Sequence, residues 1–219
     1  NNIKFINKKS INKLKINENI NLNKDSITTK LIIKANEGTK ILTITEKGKV
    51  GLLRWEFATQ KQESVKNFLP SGIENEKIVN LITLHQEKHK SLGLITSDGR
   101  FKRLAIEEVI DMSNRAISVL KLKDNVRIKS AVLCKENEEL VIVTSIGRII
   151  RVNLNEENFP LQGKLSQGPL ITNLFPEEEI KNALTIKPQD DDSIVLITKE
   201  GYIIKHKVSS IRLCTKGDL

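Results

Sequence analysis

One short pattern recurs four times and constrains this chain more than any other feature. Ile41 to Val50 reads ILTITEKGKV, Leu92 to Phe101 LGLITSDGRF, Leu140 to Ile149 LVIVTSIGRI and Ile194 to Ile203 IVLITKEGYI. Each is an apolar run, a Thr, two residues, a Gly and a second run. The glycines stand at 48, 99, 147 and 201, at spacings of 51, 48 and 54 residues. A fixed period of this size means stacked units that bury their apolar faces against one another. Each unit reads as a β-hairpin, because Gly supplies the positive φ that a tight return between two strands requires.

A second strand pattern accompanies each hairpin: 28–33, Ile78 to Leu84, Ile128 to Cys134 and Ile180 to Ile186. Further short strands are expected at Ala116–Leu122 and Leu170–Phe175. That makes about four strands per unit, the arithmetic of a propeller blade. Phe5 to Ile16 reads as a degenerate copy, with Lys9 in the Gly position. The expectation is one all-β, propeller-like domain over 1–219 with about five blades, in units of roughly 1–39, 40–90, 91–139, 140–192 and 193–219. Ring and open spiral both fit. Helix is expected only at Asn67–Ile73 and Glu107–Met112. With 4% aromatics, the core is built from Ile, Leu and Val, and Trp55 and Cys134 read as part of it.

Lys and Arg number 36 against 27 Asp and Glu, a net charge of +9. That suits a polyanionic partner, nucleic acid or an anionic membrane surface, and equally a merely solvated basic surface. No apolar run is long enough to span a bilayer, and two cysteines make no disulfide framework, which fits a reducing cytoplasm. The ending Thr215–Leu219 reads as a cut in a longer polypeptide. No catalytic motif emerges. His85, His89 and His206 lack companion metal ligands, Asp190 to Asp192 read as a loop, and Tyr202 belongs to the repeat.

The position four residues after the Gly is Arg103, Arg151 and Lys205, with Lys13 in the degenerate copy. Lys49, Arg54, Arg100, Lys102 and Arg148 crowd the same hairpins. One cation repeated at one register is expected to face an outer rim and to track phosphates without reading bases.

The whole unit, apolar run–Thr–x–x–Gly–x–x–x–Arg/Lys–x–x–Leu–x–Glu, resembles the repeat of the C-terminal domains of the A subunits of DNA gyrase and topoisomerase IV. Leu94–Val109 and Ile142–Glu157 carry the likeness best, followed by Leu196–Ile211 and Leu42–Phe57. The resemblance implies a β-pinwheel whose basic perimeter binds and bends double-stranded DNA. It implies a parent enzyme, an ATP-hydrolysing type II topoisomerase in the cytoplasm, whose partners would be the remainder of the A subunit plus a B subunit that hydrolyses ATP. The catalytic tyrosine would lie outside this chain, which itself needs no cofactor and meets no membrane. The Gln-Arg-Arg-Gly-Gly-Lys-Gly box of gyrase is absent; Leu161–Gly168 is only an echo of it. That favours a topoisomerase IV-like or divergent role. The alternative is a propeller scaffold for protein–protein interaction.

Overall fold

The computed structural model describes residues 2–3, 33, 35–84, 91–187, 192–198 and 200–217. The degenerate copy with Lys13, the strand pattern over 28–32, and His85 and His89 lie outside them. In chain order the strands are β1 Asn2–Ile3, β2 Lys40–Thr45, β3 Lys49–Leu52, β4 Glu63–Ser64, β5 Ile78–Leu84, β6 Ser91–Thr96, β7 Phe101–Ala105 and β8 Ile117–Ser118. They continue as β9 Ile128–Cys134, β10 Glu139–Thr144, β11 Ile149–Asn153, β12 Ile180–Ile186, β13 Ser193–Ile197, β14 Ile203–Lys207 and β15 Leu213–Cys214. Among the described residues one α-helix, α1, spans Glu107–Ile110.

All four Gly motifs form the expected hairpins, β2–β3, β6–β7, β10–β11 and β13–β14. The structure also explains the Thr. Its carbonyl accepts the N–H of the Gly three residues on, at 3.0–3.2 Å in all four turns. In three of them its hydroxyl also accepts the N–H of the next residue: Lys49 to Thr45, Arg100 to Thr96 and Tyr202 to Thr198. The Gly then sits at φ 79–89°, the left-handed position that closes a bulged hairpin loop.

The first strand of each of the first three hairpins pairs on its other edge with the strand that precedes the next hairpin. These pairs are β2–β5, β6–β9 and β10–β12, all antiparallel. Each carries a register shift at the same point, just before the Thr. A fourth element comes from one unit further along. Strand β8 pairs with β3, Leu170 bridges Arg100 at the start of β7, and β15 runs parallel to β11. The first and third sheets therefore borrow their last strand from the following unit and the second borrows a single bridge, so sheets and sequence units do not coincide. The strand expected at Leu170–Phe175 is reduced to that one bridge.

The apolar residues fill the gaps between neighbouring sheets. Leu42, Ile44, Leu92, Leu94 and Leu104 meet between the first and second sheets, and Ile95, Phe101, Leu140, Ile142 and Phe159 between the second and third. Val141, Ile194, Val208 and Ile211 join the third sheet to the last hairpin. Phe101 and Phe159 meet edge to face at 5.1 Å, a favoured aromatic geometry. Trp55 lies half-buried in a 3-10 turn, and its Nε1 donates to the Thr39 carbonyl at 2.7 Å. The helix expected at Asn67–Ile73 is instead a 3-10 turn over Val65–Phe68. Pro70 ends it, because the residue before a proline is driven out of helical space, and Leu69 has ψ 145°.

Candidate nucleic-acid interface

The cations divide into two populations; of the described residues in the register expected to form an outer rim, Arg103 and Arg151 are in the first and Lys205 is in the second. Arg103 and Arg151 do not face solvent. Arg103 is 6% exposed, donates to the Phe159 carbonyl at 2.8 Å and pairs with Glu156 at 3.0 Å. Arg151 donates to the carbonyls of Val208 and Ile211, both at 3.0 Å, and pairs with buried Glu139. Phe159 and Ile211 are equivalent positions of successive units, so both guanidiniums do the same work. Each reaches from one hairpin to the loop of the next unit and donates to carbonyls there, Phe159 for Arg103 and Val208 and Ile211 for Arg151. The expected outward register is corrected on this point: the recurrence marks a clasp between units.

The neighbouring cations are occupied in similar ways. Lys102, 1% exposed, donates to the carbonyls of Val119 and Gly163 at 2.7 Å and of Ser166 at 3.2 Å. Burial lowers its pKa to about 8, with the charge of Glu108 opposing. Arg148 forms a two-pronged pair with Glu178, at 2.8 and 2.7 Å, and its guanidinium lies 4.5 Å from the Phe175 ring centre. Burial by itself would raise the Glu178 carboxyl. The hydrogen bonds and charge of Arg148 and the Phe175 N–H outweigh it and bring the pKa to about 2.

Arg54 reaches the carbonyls of Asn67 and Leu69, both at 3.3 Å, two residues beyond the register of Arg103. Lys49 pairs with Glu76 at 2.8 Å and donates to the Gly72 carbonyl. Arg100 donates to the Gly168 carbonyl at 3.1 Å and lies 3.4 Å from Asp98, with a third of its side chain exposed. Lys205 differs from all of these: it is exposed and makes no ion pair with a described residue.

Lys205 belongs to the second population, whose other members were not singled out by the repeat. Lys121 and Lys123 are exposed on the segment that crosses the first turn, where Val119 donates to the Gly48 carbonyl and Ile128 to that of Glu46. Lys207 and Arg212 are exposed beside Lys205 at the last hairpin. None of them makes an ion pair with a described residue. They sit in crossing segments and in the outermost hairpin, where no apolar alternation frames them, so sequence periodicity could not find them. Cys134 is fully buried, and burial pushes its thiol up to about 12.

The chain is 28% identical over 142 residues to the A subunit of DNA topoisomerase 4 from Synechocystis sp., covering 61% of this chain and 15% of that protein. It is 25% identical over 182 residues to the A subunit of DNA gyrase from Streptococcus pyogenes, covering 78% and 21%. Two solved structures share the fold: the C-terminal domain of DNA topoisomerase IV, at TM-score 0.69 and 20% identity, and the gyrase A C-terminal domain, at 0.70 and 18%. They match 82% and 84% of this chain, which spans 57% and 59% of theirs. The family model described as DNA gyrase C-terminal domain, beta-propeller, matches residues 94–135, 138–186 and 192–218. With more than half of its residues inside that match and its hairpins in the β-pinwheel arrangement, the chain belongs to the DNA gyrase C-terminal domain family.

Proposed function

We propose that this domain binds duplex DNA through its backbone and bends it, as the non-catalytic C-terminal part of the A subunit of a type II topoisomerase. The observation that carries the reading is the second population of cations. Lys121, Lys123, Lys205, Lys207 and Arg212 are exposed and make no ion pair with a described residue, on a chain of net charge +9. Free ammonium and guanidinium groups release counterions from phosphates, whereas clasped ones have already lost that capacity to carbonyls and carboxylates. Contacts of this kind are indifferent to base sequence, so affinity follows duplex length and ease of bending.

The lack of the gyrase box supports a topoisomerase IV-like role in an ATP-dependent cytoplasmic enzyme whose ATPase is a separate polypeptide. Catalysis would belong to the parent protein. Among the described residues, no helix is long and apolar enough to cross a membrane.

Duplex binding measured by fluorescence anisotropy across a salt series tests the proposal. Affinity should fall steeply with salt. Replacing Lys121 and Lys123 by Ala should lower the log–log slope by about two, near the 0.9 expected per phosphate contact. Replacing Lys205 and Lys207 should do the same. Affinity that is flat in salt, or variants indistinguishable from the parent, would overturn it.

A further inference from the structure

We propose that Leu165 is an apolar wedge that enters the base stack of a bound duplex, so that the loop carrying it sets where the duplex kinks. The inference rests on the DNA-binding reading and adds to it a point of insertion.

The loop leaves the second sheet and returns to it within a few residues. Leu161 bridges Arg103, and the Gln162 N–H donates to the Arg103 carbonyl at 3.0 Å. The chain is back by Pro169, whose carbonyl accepts the Phe101 N–H, also at 3.0 Å. The excursion over 163–167 therefore stands off β7, the edge strand of that sheet. Leu165 lies in its turn, 54% exposed and at φ 68°. A solitary exposed leucine is ordinary, but one held in left-handed space is not. Asn125 and Asn137 also lie there, as asparagine commonly does, whereas a leucine bears a cost of about 1 kcal/mol. Such a conformation persists only where its surroundings impose it, and positions of this kind cluster at functional sites.

Here the surroundings do impose it. The buried Lys102 ammonium holds the carbonyls of Gly163 and Ser166, one on each side of Leu165, at 2.7 and 3.2 Å. The Ser166 hydroxyl closes the same turn by donating to the Gly163 carbonyl at 2.8 Å. At the base, Gly168 lies so near β7 that a Cβ on it would collide with the Phe101 carbonyl, and Arg100 donates to the Gly168 carbonyl at 3.1 Å. The turn is fixed from beneath, and the Leu165 side chain is left outside.

Its neighbours argue for the occupant. Gln167 Nε2 donates to the Lys121 carbonyl at 3.4 Å, which sets the loop against the crossing segment with the exposed Lys121 and Lys123. Lys164, beside Leu165, pairs with Glu108 at 2.8 Å and keeps 42% of its side chain exposed. A duplex drawn to these ammonium groups by its phosphates would carry a groove over Leu165. Apolar side chains such as leucine enter the minor groove between base steps and kink the duplex by about 20–90°. Unstacking costs least at flexible steps such as TA, so the kink should favour them although the phosphate contacts do not.

The probe is a duplex of about 30 base pairs with one central TA step. Dyes at its two ends read the bend by energy transfer, and 2-aminopurine at the step reads unstacking. With the parent protein the fluorescence of 2-aminopurine should rise, and the bend should exceed that with Leu165→Ala by at least about 20°. Leu165→Phe should keep both signals. The salt slope should be the same in all three proteins, because no charge has changed. Leu165→Gly should lose the bend yet keep or raise Tm, since glycine relieves the positive φ; a leucine that served folding alone would lower it. Equal bend and fluorescence with the parent and Leu165→Ala overturn the wedge and leave DNA binding standing. A marked fall in Tm for either small substitution overturns it as well. A parent protein that binds no duplex overturns the DNA-binding reading and this inference together.

Discussion

At the scale of single residues, a recurring charge has two physical explanations, and only burial and partners distinguish them. Arg103 and Arg151 recur because successive units present the same carbonyls to the same strand position. The register was legible in sequence, but its purpose was not, since a clasp and a phosphate contact both require a long cation at a fixed place. Removing Arg151 strands buried Glu139, a cost of about 3–5 kcal/mol, whereas Glu156 beside Arg103 is exposed and removing Arg103 costs only its buried hydrogen bonds, about 1–3 kcal/mol. Arg151→Ala should thus lower urea-unfolding stability by about 3 kcal/mol, and Arg103→Ala by about 2 kcal/mol. Lys121→Ala, whose side chain has no ion-pair partner among the described residues, should change it by less than about 0.5 kcal/mol.

The Arg148–Glu178 pair supplies a pH signature. The folded pKa of Glu178, about 2, lies below the ordinary value of 4.5, so its contribution is complete above the unfolded pKa. It is lost as pH falls from about 5 toward 2. Stability measured across that range should decline less steeply in Arg148→Met than in the parent protein; parallel profiles would refute the assignment.

At the scale of elements, the hairpin motif could be read fully because its causes are local. The Thr hydroxyl and carbonyl and the positive-φ Gly act within five residues. The crossing segments could not be read in this way. Their conformation is fixed by distant strands, as where Phe101 donates to the Pro169 carbonyl or Ile171 to that of Gly99. Trp55 fell where the core residues of other units fall, yet a 3-10 turn leaves it half-buried. The crossings also make the four glycines unequal. A Cβ on Gly99 would stand 2.6 Å from the Thr172 carbonyl oxygen, whereas one on Gly147 meets nothing within 4 Å. Both substitutions pay for positive φ, about 1 kcal/mol, but only the first also displaces a neighbouring backbone. Gly99→Ala should therefore lower Tm clearly more than Gly147→Ala in a calorimetric comparison; equal losses would mean that the crossing yields freely.

At the scale of the whole molecule, the clasps and borrowed strands couple each unit to the next. Stability in such arrays is a sum of unit and nearest-neighbour contributions. The last hairpin, with two strands among the described residues and exposed apolar side chains, has the fewest such contributions. Native-state hydrogen exchange should find β13 and β14 opening at the lowest free energy, with β6 and β10 at the highest. Uniform exchange across all four hairpins would contradict this.

The borrowing also gives the array a direction in time. The hairpin of the first sheet is complete at Leu52, but its fourth strand begins at Ile117, some 65 residues later. On a ribosome adding about 5–20 residues per second, that edge waits roughly 3–13 seconds for the strand that covers it. During synthesis each of the first three units is thus finished by its successor, and until that successor emerges the chain carries one sticky, unfinished sheet.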